Sequence, residues 1–452
     1  MISAHSTSRI VLMLFFVIFF IGSILSDYVI GIFGVSNSYD LKRILVIAFV
    51  MATTVFLSCG RSVQVVIPSR FTCVTLGTIL IFGMISALYG QHPFWSMLEL
   101  ANFLLLICLF FILSSCIAVM GRAEVLRYFF GFALFFTLCI CAKFLLFLLF
   151  HFIDANRPNI HSLLYGFMNV RFFNQLQVVL MPLLCLSFYM EELKKFRYWA
   201  MLAFSFLWLI LLQSEARGAV LAIMVSVSLV YYFLPISARK NFIRPLLTAI
   251  ALGTGLWLVL IVILPLFIFD NDIWQLRVDS SGRIAMWLYI LQEIPQRIFM
   301  GYGPMGFAWA EGKPLLNAHP HNALLQFLYE YGIGVFVVVT VWSVLKLTTL
   351  FGRLKQTQGV NPNTVIVFAL CSAWIYSLFD GMIVMPLSQA LLAVLLAINC
   401  QNYKVITVHT QWRILATLVV LLLGTVLISS FDHPELTQSM YPRFWLTGLV
   451  KN

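Results

Sequence analysis

The chain has 452 residues, 62% of them hydrophobic and only 10% charged, with mean hydropathy +0.98. A soluble globular domain carries about 45–50% apolar and about 25% charged residues, so a water-soluble enzyme is excluded. Apolar runs recur along the whole length, which excludes a single-pass protein. The formal charge of +11 is scattered in twos and threes, and reads as topogenic loop charge and contacts to anionic lipid rather than a nucleic-acid surface.

Taken in order, the runs predict spans near 10–34, 42–58, 70–89, 98–120, 127–153, 174–190, 198–212, 218–236, 246–269, 322–346, 363–380, 384–400 and 413–430. The expected fold class is therefore an all-α polytopic membrane bundle of about 12–13 spans. The first run is too long for a signal-peptide core and reads as a retained anchor. The chain order divides into a bundle over 1–269, a polar loop over 270–321, further spans over 322–430 and a tail over 431–452. The nine cysteines lie in or beside apolar runs, which suggests neither a disulfide framework nor a zinc site.

With the N-terminus in the cytoplasm, 16 of the 28 basic residues fall on the cytoplasmic side. Leaving the long loop aside, seven fall outside. The positive-inside rule thus places loop 270–321 outward, in the periplasm of a Gram-negative cell.

That loop is the one polar segment large enough for structure of its own. DSSGRIAMWLYILQEIP predicts an amphipathic helix, with Asp279, Ser280 or Ser281 as N-cap and Trp287, Ile290, Leu291 and Ile294 at helical spacing. Pro295 closes it, and Arg283 lies in its first turn at headgroup level. The following GYGPMGF, 301–307, lacks a P-loop lysine and reads as a flexible connector.

AHPHNALLQFLYEYGIGVF, 318–336, then carries the chain from loop into span. His321 stands at its mouth, either as a cap or interfacial residue or as a proton acceptor. His319 beside it raises a metal reading, but no partners at ligand spacing accompany the two histidines. Glu330 lies about two turns in, where a carboxylate is functional or paired in a helix–helix contact. Gly332 and Gly334 would let another helix approach.

Earlier in the chain, Arg217 opens the eighth span on the outer side, followed by Gly218 and Ala219. It is either a topogenic charge or a contact for a lipid-linked anion. Arg171 and Asn174, in RFFNQ, form a similar outer pair. Outward arginines can hold a diphosphate, and a histidine can take a proton from an incoming hydroxyl. No acidic pair at glycosidase spacing and no Ser-His-Asp set is evident.

These segments resemble the O-antigen ligase and polymerase superfamily of bacterial inner membranes. HNALLQFLYEYGIG (321–334) fits the ligase pattern of His, then Asn, Ser or Gln, nine residues, Gly, any residue, then Gly, Thr or Tyr. SEARGA (214–219) looks like the family's small-x-Arg-Gly segment, and SGRIAMW with GYGPMGF resembles its periplasmic loop. The likeness covers about residues 171–336.

The resemblance implies that Arg217 and Arg283 bind the pyrophosphate of an undecaprenyl-diphosphate-linked glycan and that His321 is the general base. Arg171, Asn174, Asn322 and Glu330 stand as substrate-binding candidates. The implied reaction is inverting, with neither metal nor cofactor. The acceptor is lipid A-core, or else a growing glycan (a polymerase) or a protein (an O-oligosaccharyltransferase). A flippase or polysaccharide transporter is the alternative from a different class. The ligases typically have twelve spans, one fewer than the runs counted here.

Overall fold

A computed structural model describes residues 3–446 except 61–62, 155, 157, 165, 270–281, 401–403 and 433–442. Lipid offers no partners to backbone polar groups, so apolar runs of this length close their hydrogen bonds within helices. In chain order these are α1 (Ala4–Ser23), α2 (Ser38–Ser58), α3 (Arg70–Tyr89), α4 (Pro93–Met120), α5 (Arg122–Ile153), α6 (Val170–Tyr189), α7 (Glu191–Gln213), α8 (Arg217–Phe233) and α9 (Ile236–Ile268). The loop helix α10 (Arg283–Glu293) follows, then α11 (Ala323–Lys355), α12 (Pro362–Ser377), α13 (Pro386–Asn399) and α14 (Thr410–Ser429). Ten of them are long and apolar enough to cross a membrane, and α8, α12 and α13 are shorter apolar helices. The chain is a multi-pass helical membrane protein.

Two short strands interrupt the all-helical reading. β1 (Val63–Val66) pairs antiparallel with β2 (Val405–Val408), in register Val63 to Val408. Both are β-branched runs in the linkers between spans, where no helix claims them. Ten apolar helices separate the strands in sequence, seven of them of membrane-spanning length.

The helices group into two units. The first comprises Met1–Val125, Ser280–Lys346 and Ser377–Asn452, and the second Leu126–Asp279 and Leu347–Tyr376. In the first unit α3, α4 and α11 meet around Ile79, Leu100, Tyr331, Val335 and Val339. The absence of a side chain at Gly83 admits the Tyr331 ring, which a Cβ would approach to 2.8 Å. In the second unit α7 and α9 pack closely, with Ser205 Oγ donating to the Ala249 carbonyl at 2.9 Å and Trp208 Nε1 to Thr254 Oγ1 at 3.0 Å. Large apolar side chains such as Leu418 and Leu422 on α14 face outward, as acyl chains rather than water would require. Two cysteines, Cys59 and Cys73, are exposed and the others are buried or partly buried, all as free thiols.

Candidate functional site

The loop that carries α10 packs as a small structure within the first unit. Met286, Ile290 and Ile294 are buried against Phe307 and Tyr329. Leu291, expected on the same stripe, is instead exposed with Ile284 and Leu288, giving the helix a second apolar face. The expected caps Asp279, Ser280 and Ser281 lie outside the described residues. Gly282 holds the N-cap position at φ +71°, without a side-chain cap. Arg283 is the first helical residue.

The GYG segment corrects the connector reading. Inside α11 the backbone leaves helical geometry at Gly332, where φ is +82° and ψ 178°. That break leaves the Tyr329 and Glu330 carbonyls without their helical donors. The loop supplies replacements: Tyr302 N–H donates to Tyr329 O at 2.9 Å and Gly303 N–H to Glu330 O at 3.0 Å. In return Ile333 N–H donates to Ile298 O at 2.8 Å. A Cβ on Gly332 would overlap the Phe299 carbonyl. The glycine that was expected to admit a helix thus admits loop backbone, whereas a Cβ on Gly334 would meet the Phe82 ring of α3 at 3.5 Å.

The AHPHN turn is held at several backbone points. Arg443 Nη1 donates to Ala318 O at 3.4 Å, and Trp287 Nε1 to Pro320 O at 2.9 Å. His321 N–H donates to His319 Nδ1 at 3.3 Å. These contacts keep His321 at φ +53°, a region that non-glycine residues rarely occupy. Asn322 provides the cap of α11, its Oδ1 accepting from Leu325 N–H at 3.1 Å. The imidazole of His321 is therefore not the helix cap.

It turns instead toward Asp380. His321 Nδ1 is 3.4 Å from Asp380 Oδ1, long for a hydrogen bond but within ion-pair range, and Arg283 Nη2 is 3.9 Å from Asp380 Oδ2. Asp380 lies between α12 and α13, and its side chain is 1% exposed against 18% for His321 and 23% for Arg283. Gly381 N–H also donates to Asp380 Oδ1, at 2.6 Å. Burial alone would raise the Asp380 carboxyl, but the close approach of His321, with Arg283 and His319, holds it well below the usual carboxylate range. His319 is buried beneath, its ring against Gly381. Burial, reinforced by His321, Arg443 and Arg283, drives its pKa well below that of an ordinary imidazole, although Asp380 opposes the shift.

Deeper in the same unit is an ionic network. Glu330, fully buried, has Oε2 2.6 Å from Arg443 Nη2, and Gln326 Nε2 donates to it at 3.3 Å. Glu99 of α4 approaches the same guanidinium at 3.4 Å. Arg443, Phe444 and Trp445 are all buried. Arg43 of α2 grips this segment, donating to the carbonyls of Arg443 (3.1 Å) and Phe444 (3.2 Å) and to Gln389 Oε1 (2.5 Å).

The other sequence candidates belong to the second unit. Asn174 is completely buried, its Nδ2 donating to Gln177 Oε1 at 2.7 Å and to Ser214 Oγ at 3.0 Å. It thereby braces the turn before Arg217, where Glu215 sits at φ +51°. Arg171 opens α6, its N–H capped by Asn169 Oδ1 at 2.9 Å. Within the first unit the structure brings Arg283, His321 and Asp380 together, with Glu330 beneath in its ion pair. Among the described residues no group of three or more His, Cys, Asp or Glu could hold a metal ion.

A histidine, a carboxylate and an arginine thus gather in the first unit near the N-terminal end of a helix of membrane-spanning length. Sequence comparison finds a likeness over part of the chain: residues 201–340 match a family model described as O-antigen ligase. Enzymes of that family transfer lipid-linked glycans, so the match supports an enzymatic role for this chain at the family level. No curated protein matches the sequence. The matched stretch includes Arg217, Arg283, His321, Asn322 and Glu330, whereas Arg171, Asn174, Asp380 and Arg443 fall outside it.

Proposed function

We propose that the protein is a ligase-type glycosyltransferase of the bacterial inner membrane. It moves a glycan from undecaprenyl diphosphate to a hydroxyl of lipid A-core at the periplasmic face. The observation that carries this reading is the His321–Asp380 contact, made by an imidazole that Asn322 relieves of any capping role. A carboxylate facing Nδ1 favours the tautomer with its proton there, which leaves the Nε2 lone pair to act as base. The acceptor oxygen attacks the anomeric carbon as its proton passes to Nε2. The bond from that carbon to the diphosphate breaks, with inversion, and lipid diphosphate leaves.

Arg283 meets the growing negative charge on the diphosphate, and Arg217 keeps the diphosphate-binding role that the family resemblance implies. Asp380 acts through His321 as a positioning residue. Arg171 and Asn322 remain substrate-binding candidates, while Asn174 and Glu330, both fully buried, would act by bracing their surroundings. The activation energy of the donor already resides in the lipid–diphosphate bond, so the reaction is proposed to need neither metal nor cofactor. EDTA should leave the purified enzyme active; an inactivation that divalent ions reverse would overturn this part.

Gel analysis of lipopolysaccharide from a deletion strain tests the acceptor. Loss of all long glycan from lipid A-core supports a ligase. Core carrying a single repeat unit would make the protein a polymerase, loss of glycan from protein alone an O-oligosaccharyltransferase, and accumulation of donor on the cytoplasmic side a flippase. Phosphatase fusions active at Lys313 and silent at Lys195 test the orientation.

A further inference from the structure

α7 opens with a 3-10 turn, Glu191–Phe196, of sequence EELKKF, between two apolar helices of the second unit. A cavity of about 600 Å³ lies beside it. Its wall includes Glu191, Lys194, Arg197 and Tyr198 from the turn and the helix that follows, and Asn241 and Pro245 from α9. Lys194 Nζ is 2.5 Å from Glu191 Oε1. Among the described residues Arg197 has no carboxylate partner; its guanidinium donates to Tyr198 Oη and lies 4.5 Å from that ring's centroid.

Three further observations point to the occupant. Tyr198 and Trp199 are 71% and 56% exposed at the end of an apolar helix, the position of aromatic anchors at headgroup depth. Pro245 has no N–H for the carbonyl of Asn241 one turn earlier, so this wall carries an acceptor lacking its helical donor. The other side of the turn borders a second, largely apolar cavity, of about 520 Å³, lined by Phe130, Leu134, Phe135 and Leu138, with Arg127, Lys195 and Glu192 as its charged residues. A cationic pocket with acceptors, at headgroup depth, matches a phospholipid headgroup in polarity.

We propose that this pocket binds a glycerophospholipid whose headgroup ends in a hydrogen-bond donor. Arg197 and Lys194 take the phosphate. The Glu191 carboxylate and the Asn241 carbonyl take the ammonium or hydroxyl end.

Native mass spectrometry of the full chain released from detergent tests this, with phosphatidylethanolamine, phosphatidylglycerol and phosphatidylcholine of matched acyl chains as probes. The first two should bind about tenfold better than phosphatidylcholine, whose choline end has no donor. A Lys194→Gln/Arg197→Gln variant should lose about tenfold in their binding at an unchanged melting temperature, and Arg197→Lys should retain part of it. Equal lipid retention by the double variant, or phosphatidylcholine binding as well as phosphatidylethanolamine, would overturn the proposal. So would displacement of the lipid by millimolar inorganic phosphate, which would reassign the pocket to a soluble ligand.

Discussion

The two units solve the problem of interior polarity differently. Among the described residues every buried charged side chain, from Asp40 and Arg43 through Glu99, Glu330 and Asp380 to Arg443, belongs to the first unit. The second unit buries neutral groups instead: Asn174, Gln177, Ser205, Ser214 and Ser226. A buried ion pair is expensive to desolvate and adds little net stability, so its presence points to specified geometry. In the first unit that geometry surrounds His321. A neutral amide cluster costs less to bury, and here it frames a turn, the one that leads into Arg217. The unit that contains the proposed base is thus organised by charge, and the other by hydrogen bonds between uncharged groups.

The largest effect that would break this contrast is chemical. His321→Gln should lose about 10²- to 10⁴-fold in transfer rate, with insertion and melting preserved, because glutamine cannot take up the acceptor's proton. Near-normal turnover by purified His321→Gln protein would remove the base from the first unit. Asp380→Asn should also slow turnover while leaving donor binding in place, which a rate-against-affinity comparison reads directly.

Next come the networks themselves. Arg443→Ala strips the cation from between Glu99 and Glu330 and should cost about 3–5 kcal/mol in thermal or denaturant unfolding. Replacing Arg443, Glu330 and Glu99 together by apolar residues should recover most of that loss. Asn174→Ala, by contrast, removes only neutral partners from Gln177 and Ser214 and should cost about 1–3 kcal/mol. Equal costs for Arg443→Ala and Asn174→Ala would erase the distinction between the units.

The smallest effect is a pH slope. His319 has a lower pKa folded than unfolded, so the unfolded chain binds more protons below about pH 6.5. The stability it contributes is full above that pH and declines as pH falls through the folded value. Asp380, depressed in the same sense, keeps its contribution throughout this range. The melting temperature should therefore be flat above about pH 7 and fall toward pH 5, and His319→Gln should flatten that fall. An unchanged slope in His319→Gln would exclude this source.

Thirteen apolar helices were legible because length and hydropathy are local properties of a run. The motif residues Arg217, Arg283 and His321 were legible because polar groups stand out at span ends. Asp380 was not: it sat at the edge of the 363–380 run and looked like a boundary residue. An acidic residue beside a glycine between two apolar runs was the available signal. Arg443 gave still less, being one basic residue in a tail, and its partners Glu99 and Glu330 lie 344 and 113 positions away. The docking of GYG onto the break at Gly332 likewise depends on carbonyls that only a broken helix exposes. Periodicity describes each element alone, whereas these contacts depend on which elements meet.

Arg443 also imposes an order of assembly. It is synthesised after all thirteen apolar helices, and therefore long after both carboxylates that flank it. Throughout membrane insertion Glu99 and Glu330 must wait without their cation, and the AHPHN turn without the donor to its Ala318 carbonyl. A nascent chain halted before residue 443 could have every helix in place and still lack the clasp beneath His321. The proposed catalytic machinery would then be completed only after those helices and remain inactive until synthesis had passed that point.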